Sequence, residues 1–239
     1  MKFLLKVRLS YYFFILLVIY LVVAFSVKGT KFESGALTLF SVNSFLYGFY
    51  IAPILSGQKA RIDDLQKNIR AEANALFTML LKTKKLSTET RNRFQDMYVD
   101  YMKASFKQRK PAEGEDEYEA LIGTALNYDG KDADKVDKLL DGLVANQANR
   151  SQLAMLLNNK VYSNEWWVIL VLFSITLGFV MFLDIGSQWQ MKIVKALLCT
   201  GLTMLLVILV KLSTLTHKKA KQLWDPLQKL LDTRFYRVD

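Results

Sequence analysis

Four stretches of the chain run for about twenty residues almost without charge, and they restrict its fold more than any other feature. They are Tyr11–Val27 ("YYFFILLVIYLVVAFSV"), Ala36–Leu55 ("ALTLFSVNSFLYGFYIAPIL"), Trp166–Leu183 ("WWVILVLFSITLGFVMFL") and Ile193–Leu212 ("IVKALLCTGLTMLLVILVKL"). As a helix each covers roughly 27–30 Å, the thickness of a bilayer's hydrocarbon core. A backbone in hydrocarbon must satisfy its own hydrogen bonds, so each such stretch is expected to be a transmembrane helix. The rival reading of the first, a cleaved signal peptide, is weakened by its length: an h-region has roughly 7–15 apolar residues.

Charge then orients the helices. The formal net charge is +10, yet residues 58–164 hold 18 Lys/Arg against 16 Asp/Glu. The basic excess therefore sits in the membrane-bearing ends, which suits anionic lipid and orientation better than nucleic acid. Lys2, Lys6, Arg8, Lys59, Arg61, Lys67, Arg70, Arg150, Lys160, Lys218, Lys219 and Lys221 flank one side. Lys28, Lys31, Lys192 and Lys195 flank the other. The positive-inside rule places both termini and the central region in the cytoplasm. Trp166, Trp167 and Trp189 stand at span ends, as interfacial anchors do.

The expected organisation is residues 1–57 with transmembrane helices one and two, and 58–164 as a cytoplasmic helical region. Residues 165–212 hold helices three and four, and 213–239 an amphipathic cytoplasmic tail. In the cytoplasmic region Ile62, Leu65, Ile69, Ala73, Leu76 and Leu80 form one helical stripe, which continues the second span past Pro53 and Gly57 with a bend. A second helix starts after Ser87 or Thr88, with Phe94, Met97, Tyr98, Tyr101, Met102 and Phe106 on one face. "KPAEGEDEYEA", from Lys110, reads as an exposed acidic loop without EF-hand spacing. A third helix covers about Asp132–Lys160, carries Val136, Leu139, Leu143, Leu153, Leu156 and Leu157, and runs toward Trp166, where it could join the third span. Leu223, Trp224, Leu227, Leu230 and Leu231 give the tail an apolar face, to pack on these helices or lie on lipid.

Enzymatic chemistry is not indicated. There is no GxxxxGK[ST], GxGxxG, HExxH or GxSxG. The single histidine, His217, adjoins Lys218 and Lys219, and the single cysteine, Cys199, lies within an apolar span. No cofactor or metal is implied. Of ionisable residues near the spans, Lys195, Lys211 and Asp184 lie close to span ends, which argues against a proton-coupled carrier.

The second span is the most polar, with Thr38, Ser41, Asn43, Ser44, Tyr47, Gly48 and Tyr50. Polar groups in lipid turn toward protein or water, so this helix is expected to be the most interior. Two readings are open. Ser44 and Gly48 form a small-xxx-small pair that permits close helix packing. Ser41, Phe45 and Phe49 form an i, i+4, i+8 row that could line a pore, where rings of Phe gate by dewetting and offer positive edges to an anion.

"SFLYGFYI", Ser44–Ile51, resembles the Ser-Phe-x-x-Gly-Phe signature of the second transmembrane helix of bestrophins. The four spans, the cytoplasmic termini and the helical region between spans two and three also resemble that family, and its small bacterial members most. "LVANQANRSQLAMLL" followed by "EWW", with Asn149 and Arg150, has the look of that group. The resemblance implies a homopentameric anion channel of a bacterial inner membrane, with chloride or another small anion as the permeant species. It implies Phe45 and Phe49 as neck residues, with Ser41 where many bestrophins carry a bulky aliphatic residue, and Ser44 and Gly48 beside the neck; Ser44, Gly48 and Pro53 are expected to serve the packing of the pore helix. The chain departs in reading "SGQK" where bestrophins have Arg-Trp-Trp, and in lacking an acidic calcium clasp after span four. The expected fold is thus an all-α membrane protein, a homo-oligomer around a central axis. The alternative is a non-conducting scaffold, signalling or effector module whose cytoplasmic helices bind a partner.

Overall fold

A computed structural model describes residues 7–108, 115–186, 188–216 and 222–232. His217, Lys218, Lys219, Lys221, Pro111, Glu113 and Gly114 lie outside them. The described residues form eight helices: α1 (Leu9–Ser26), α2 (Ser34–Thr83), α3 (Thr88–Gln108), α4 (Glu115–Leu126), α5 (Ala133–Asn158), α6 (Ser163–Phe182), α7 (Trp189–Ser213) and α8 (Asp225–Asp232). Four helical stretches are long and apolar enough to cross a membrane, and they cover the four segments picked out by composition to within one residue at the ends. The chain divides into two compact units, residues 1–60 with 160–218 and residues 61–159 with 219–239.

The first unit holds α1, the first half of α2, α6 and α7. Packing is strongest between α1 and α7, and α6 also lies along α7. Tyr20 and Thr203 hydroxyls meet at 2.7 Å between α1 and α7. Lys211 of α7 donates to the Val7 carbonyl and lies 5.0 Å from the centre of the Tyr12 ring. A small core gathers Tyr47, Ile51, Val161, Ile169 and Leu209. Around it, large apolar side chains stay exposed: Phe14, Val22, Leu39, Val171 and Leu198 are among them. A water-soluble unit would bury such residues, whereas a lipid-facing one has no reason to.

At one end of this unit, the α1–α2 and α6–α7 loops are clamped together. Thr30 donates its N–H to Phe182 O at 2.7 Å, and Asp184 donates to Thr30 O at 3.1 Å. Gly29 makes the approach possible, since a Cβ there would sit 2.4 Å from the Asp184 Cα. The tryptophans at the span ends divide: Trp167 and Trp189 are 71% and 61% exposed, while Trp166 packs against the core.

The second unit follows soluble rules. All six positions of the apolar stripe, Ile62 through Leu80, are buried. Phe94, Tyr98, Tyr101 and Met102 of α3, Tyr118 and Leu121 of α4, and Val136, Leu139 and Leu143 of α5 are buried too. Helix α4 packs on both α3 and α5, and α8 packs on α3 through its apolar face. The tail therefore takes the packing option, with Leu223, Trp224, Leu227 and Leu230 buried.

Two expectations need correction. The acidic run is not a loop from Glu115 onward. Glu115, Asp116 and Glu117 form the first turn of α4, where carboxylates meet the positive end of the helix dipole. The third long helix also does not join the third span: residues 159–162 break it before α6. There the Glu165 carboxylate accepts the Tyr162 N–H at 3.0 Å and starts a new helix. Helix α2, by contrast, runs unbroken through Pro53 for its full 50 residues.

Asp132 joins two helix starts in the second unit. Its carboxylate accepts the Lys135 ammonium at 2.7 Å and the Ser87 N–H at 2.7 Å. These bonds, that from Lys135 foremost, lower its pKa from 3.8 to about 2. A depressed carboxylate contributes stability above its unfolded pKa and loses it as pH falls through the folded one. Asp132→Asn is therefore expected to lower the melting temperature at neutral pH and to flatten its acid limb between about pH 4 and pH 2, followed by circular dichroism.

Candidate functional site: the two faces of α2

Side chains two residues apart on a helix point about 200° apart. The rows 43, 47, 51 and 41, 45, 49 therefore occupy opposite sides of α2. The first row faces the chain's own helices. Asn43 Nδ2 donates to Leu172 O at 3.1 Å and to Thr176 Oγ1 at 2.8 Å, both on α6. Tyr47 and Ile51 are each 3% exposed, and the Tyr47 ring lies 6.2 Å from that of Phe173.

The second row has no partner of that kind. Phe45 and Phe49 are 70% and 71% exposed. Their rings stack on each other at 6.0 Å with an interplanar angle of 18°. The structure thus brings these two predicted residues together, on a face the unit leaves open. Ser41 shares that face, is exposed, and turns its hydroxyl back onto Leu37 O at 3.0 Å. Gly48 is also exposed, and a Cβ there would meet nothing within 4 Å. The close helix approach that Ser44 and Gly48 would permit is not made within one chain. The Ser44 hydroxyl is buried, and among the described residues it has no hydrogen-bond partner.

Pro53 is exposed one turn beyond Phe49. Lacking an N–H, it leaves the Phe49 carbonyl without its usual i+4 donor. An acceptor with unused capacity therefore lies in the backbone at the end of the Phe45–Phe49 row.

A second polar constellation escaped sequence reasoning. In the second unit Glu72, Tyr101, Asn146 and Arg150 are all buried. Tyr101 donates its hydroxyl hydrogen to Glu72. The Arg150 guanidinium lies 3.8 Å from the centre of the Tyr118 ring and pairs with Glu115 at 3.0 Å. Asn146 donates to the Tyr118 hydroxyl at 3.2 Å, and that hydroxyl donates to Leu143 O at 2.7 Å. Burial raises the Glu72 carboxyl above the usual range, against the Tyr101 hydrogen bond and the Arg150 charge, and pushes Tyr118 up to about 12. Glu72 reads as one more polar residue between Ile69 and Ala73. Only its phase on the stripe hinted at burial. Arg150 was counted as an orienting cation, yet it is a core residue.

Taken together, the described residues form an all-α protein with four helical stretches long and apolar enough to cross a membrane, the pattern of a membrane protein. Its sequence matches the family model described as Bestrophin-like domain over residues 9–217, so the chain belongs to the bestrophin-like family, which is known for anion channels. Searches of curated proteins and of solved structures found no match.

Two outcomes are expected. Asn43→Ala removes the tie to α6 and should destabilise the membrane unit by about 1 kcal/mol, within the 0.6–2 kcal/mol range of interhelical side-chain bonds. A double-mutant cycle with Thr176→Val, read from thermal melts in detergent, isolates that term. For Glu72, a raised folded pKa means stability is fullest below the unfolded pKa and falls as pH rises through the folded one. Glu72→Gln should therefore flatten the pH dependence of the melt above about pH 4.5 and leave the acid side unchanged.

Proposed function

We propose that the chain is a bestrophin-like anion channel in which copies of α2 surround an axis and present Ser41, Phe45 and Phe49 to the permeating ion. The observation that carries this reading is the exposed, mutually stacked Phe45–Phe49 pair, set opposite the face that α2 uses to bind its own chain. Family membership supports the channel class. In a ring of copies, ideally five, the two phenylalanines make two apolar constrictions one helical turn apart. Such a neck resists water and closes by dewetting. Ring edges carry the positive end of the aromatic quadrupole and tolerate a partly dehydrated anion better than an aliphatic wall. Ser44 and Gly48 lie beside the neck, where neighbouring copies of α2 come close.

The proposed setting is a bacterial inner membrane, with both termini and the α3–α5 region in the cytoplasm. There the helices form a vestibule. Chloride is the proposed principal permeant ion, the flow is passive, and no enzymatic step is involved.

The competing reading is a non-conducting scaffold or effector, whose exposed aromatic row meets lipid or another protein. Chloride flux from liposomes separates the two. The channel reading expects flux from the wild type, and several-fold higher flux from the Phe45→Ala, Phe49→Ala double variant as the neck widens. No flux from either form, or identical flux from both, would overturn it. Cysteine scanning over residues 41–53 in a Cys199→Ser background gives a second readout. A pore predicts a water-accessible stripe at 41, 45 and 49, whereas a scaffold predicts none.

A further inference from the structure

A cavity of about 520 Å³ opens between the C-terminal end of α1 and the loop joining α6 to α7, away from the Phe45–Phe49 row. Lys28, Lys192 and Lys195 line it together with a single carboxylate, that of Asp184. Lys192 and Lys195 are three residues apart, hence neighbours on one face of α7, and like charges so placed repel. Lys195 is only 6% exposed. Its ammonium carries three donors, of which the Leu183 carbonyl takes one at 3.0 Å. The Lys192 ammonium lies 5.0 Å from the centre of the Phe25 ring. Asp184 is partly engaged, since one carboxylate oxygen accepts the Gly186 N–H at 2.9 Å.

Three cations against one carboxylate leave an excess of positive charge in a recess walled on one side by Ala24, Phe25 and Leu183. The recess is also preformed. The Thr30 hydrogen bonds to Phe182 and Asp184 clamp its two loops, and Gly29 allows the close contact. We infer that this pocket is a binding site for a phosphate oxyanion, contacted by Lys28, Lys192 and Lys195. Two sources share that chemistry: the phosphodiester of an anionic lipid, and free inorganic phosphate. The pocket's place at the ends of α1, α6 and α7, beside the interfacial Trp189, puts it at headgroup depth when these helices span a bilayer. Its apolar wall suits the first methylenes of a lipid's acyl chains.

The test uses the full chain in nanodiscs of phosphatidylcholine with a minor share of phosphatidylglycerol, followed by native mass spectrometry of retained lipid. A parallel arm measures thermal stability in neutral detergent with inorganic phosphate against chloride at equal ionic strength. Lys28→Gln with Lys192→Gln is the variant, since Lys28 is exposed and Lys192 half-buried, which leaves the buried Lys195 in place. Each lysine near an anionic surface contributes about five-fold, so the double variant should lose roughly thirty-fold in affinity at low salt. Lysine-dependent retention of phosphatidylglycerol without a phosphate shift assigns the site to a headgroup. A lysine-dependent phosphate shift without lipid retention assigns it to the free ion. If neither response depends on the lysines, the inference is overturned. Photoreactive phosphatidylglycerol on the wild type gives a readout independent of the variant's folding. Labels on residues 24–29 or 183–195 support the site, and labels confined elsewhere overturn it.

Discussion

The amide of Asn43 sets the orientation of α2, and the candidate site depends on that orientation. A primary amide left without partners in hydrocarbon costs several kcal/mol. Asn43 avoids this through the Leu172 carbonyl and the Thr176 hydroxyl of α6. Half a turn of rotation would bury Phe45 and Phe49 instead. That exchange gains little, because lipid tails are as apolar as the packed interior and no hydrophobic driving force separates the two. The polar term therefore decides. Tyr47 and Ile51 follow Asn43 inward, and the two phenylalanines are turned out as a consequence.

This explains which parts of the site could be read from the chain. The four spans were legible because apolar runs of about twenty residues have few other uses. The Phe45–Phe49 row was legible from its four-residue period alone. Which side of α2 would face the chain's own helices was not, because it rests on an acceptor pair at 172 and 176, far away in sequence. The Ser44/Gly48 pair shows the converse. Its spacing promised a close helix contact, yet within one chain nothing comes near Gly48. A local pattern can announce an interface without naming the surface that meets it.

The second unit was legible where periodicity carried the signal and illegible where charge did. The stripe from Ile62 to Leu80 and the aromatic face of α3 followed from 3.6-residue spacing. Helix α4 was missed because three successive carboxylates look like a solvated loop, although they are equally suited to a helix's first turn. One of them, Glu115, also supplies the ion-pair partner of Arg150, whose side chain is 3% exposed. Tyr118 and Tyr101 flank that guanidinium with their rings, at 3.8 and 5.1 Å. A buried cation is tolerable only with such company, and these partners come from two other helices, α3 and α4. Sequence spacing holds no trace of such a cluster.

Helix α2 follows two opposite rules along its length. At Asn43 the row facing its own unit carries an amide paired to α6, while the Tyr47 hydroxyl below it has no partner among the described residues, and the exposed row is aromatic. From Ile62 to Leu80 the buried side is mostly apolar, with Asn68 and Glu72 as its polar members, and Asp64 and Lys67 on the surface pair at 3.2 Å with much of their side chains exposed. Water rewards the burial of apolar groups, whereas hydrocarbon rewards the pairing of polar ones. Such an inversion along one uninterrupted helix is the pattern that two different solvents would select. The inversion falls between Ile51 and Ile62, the interval that contains Pro53, and the Phe45–Phe49 pair lies in the part of α2 before it. Phenylalanines held open to water would be a folding liability. In a helix obeying the lipid rule they can stand exposed on a single chain at little cost.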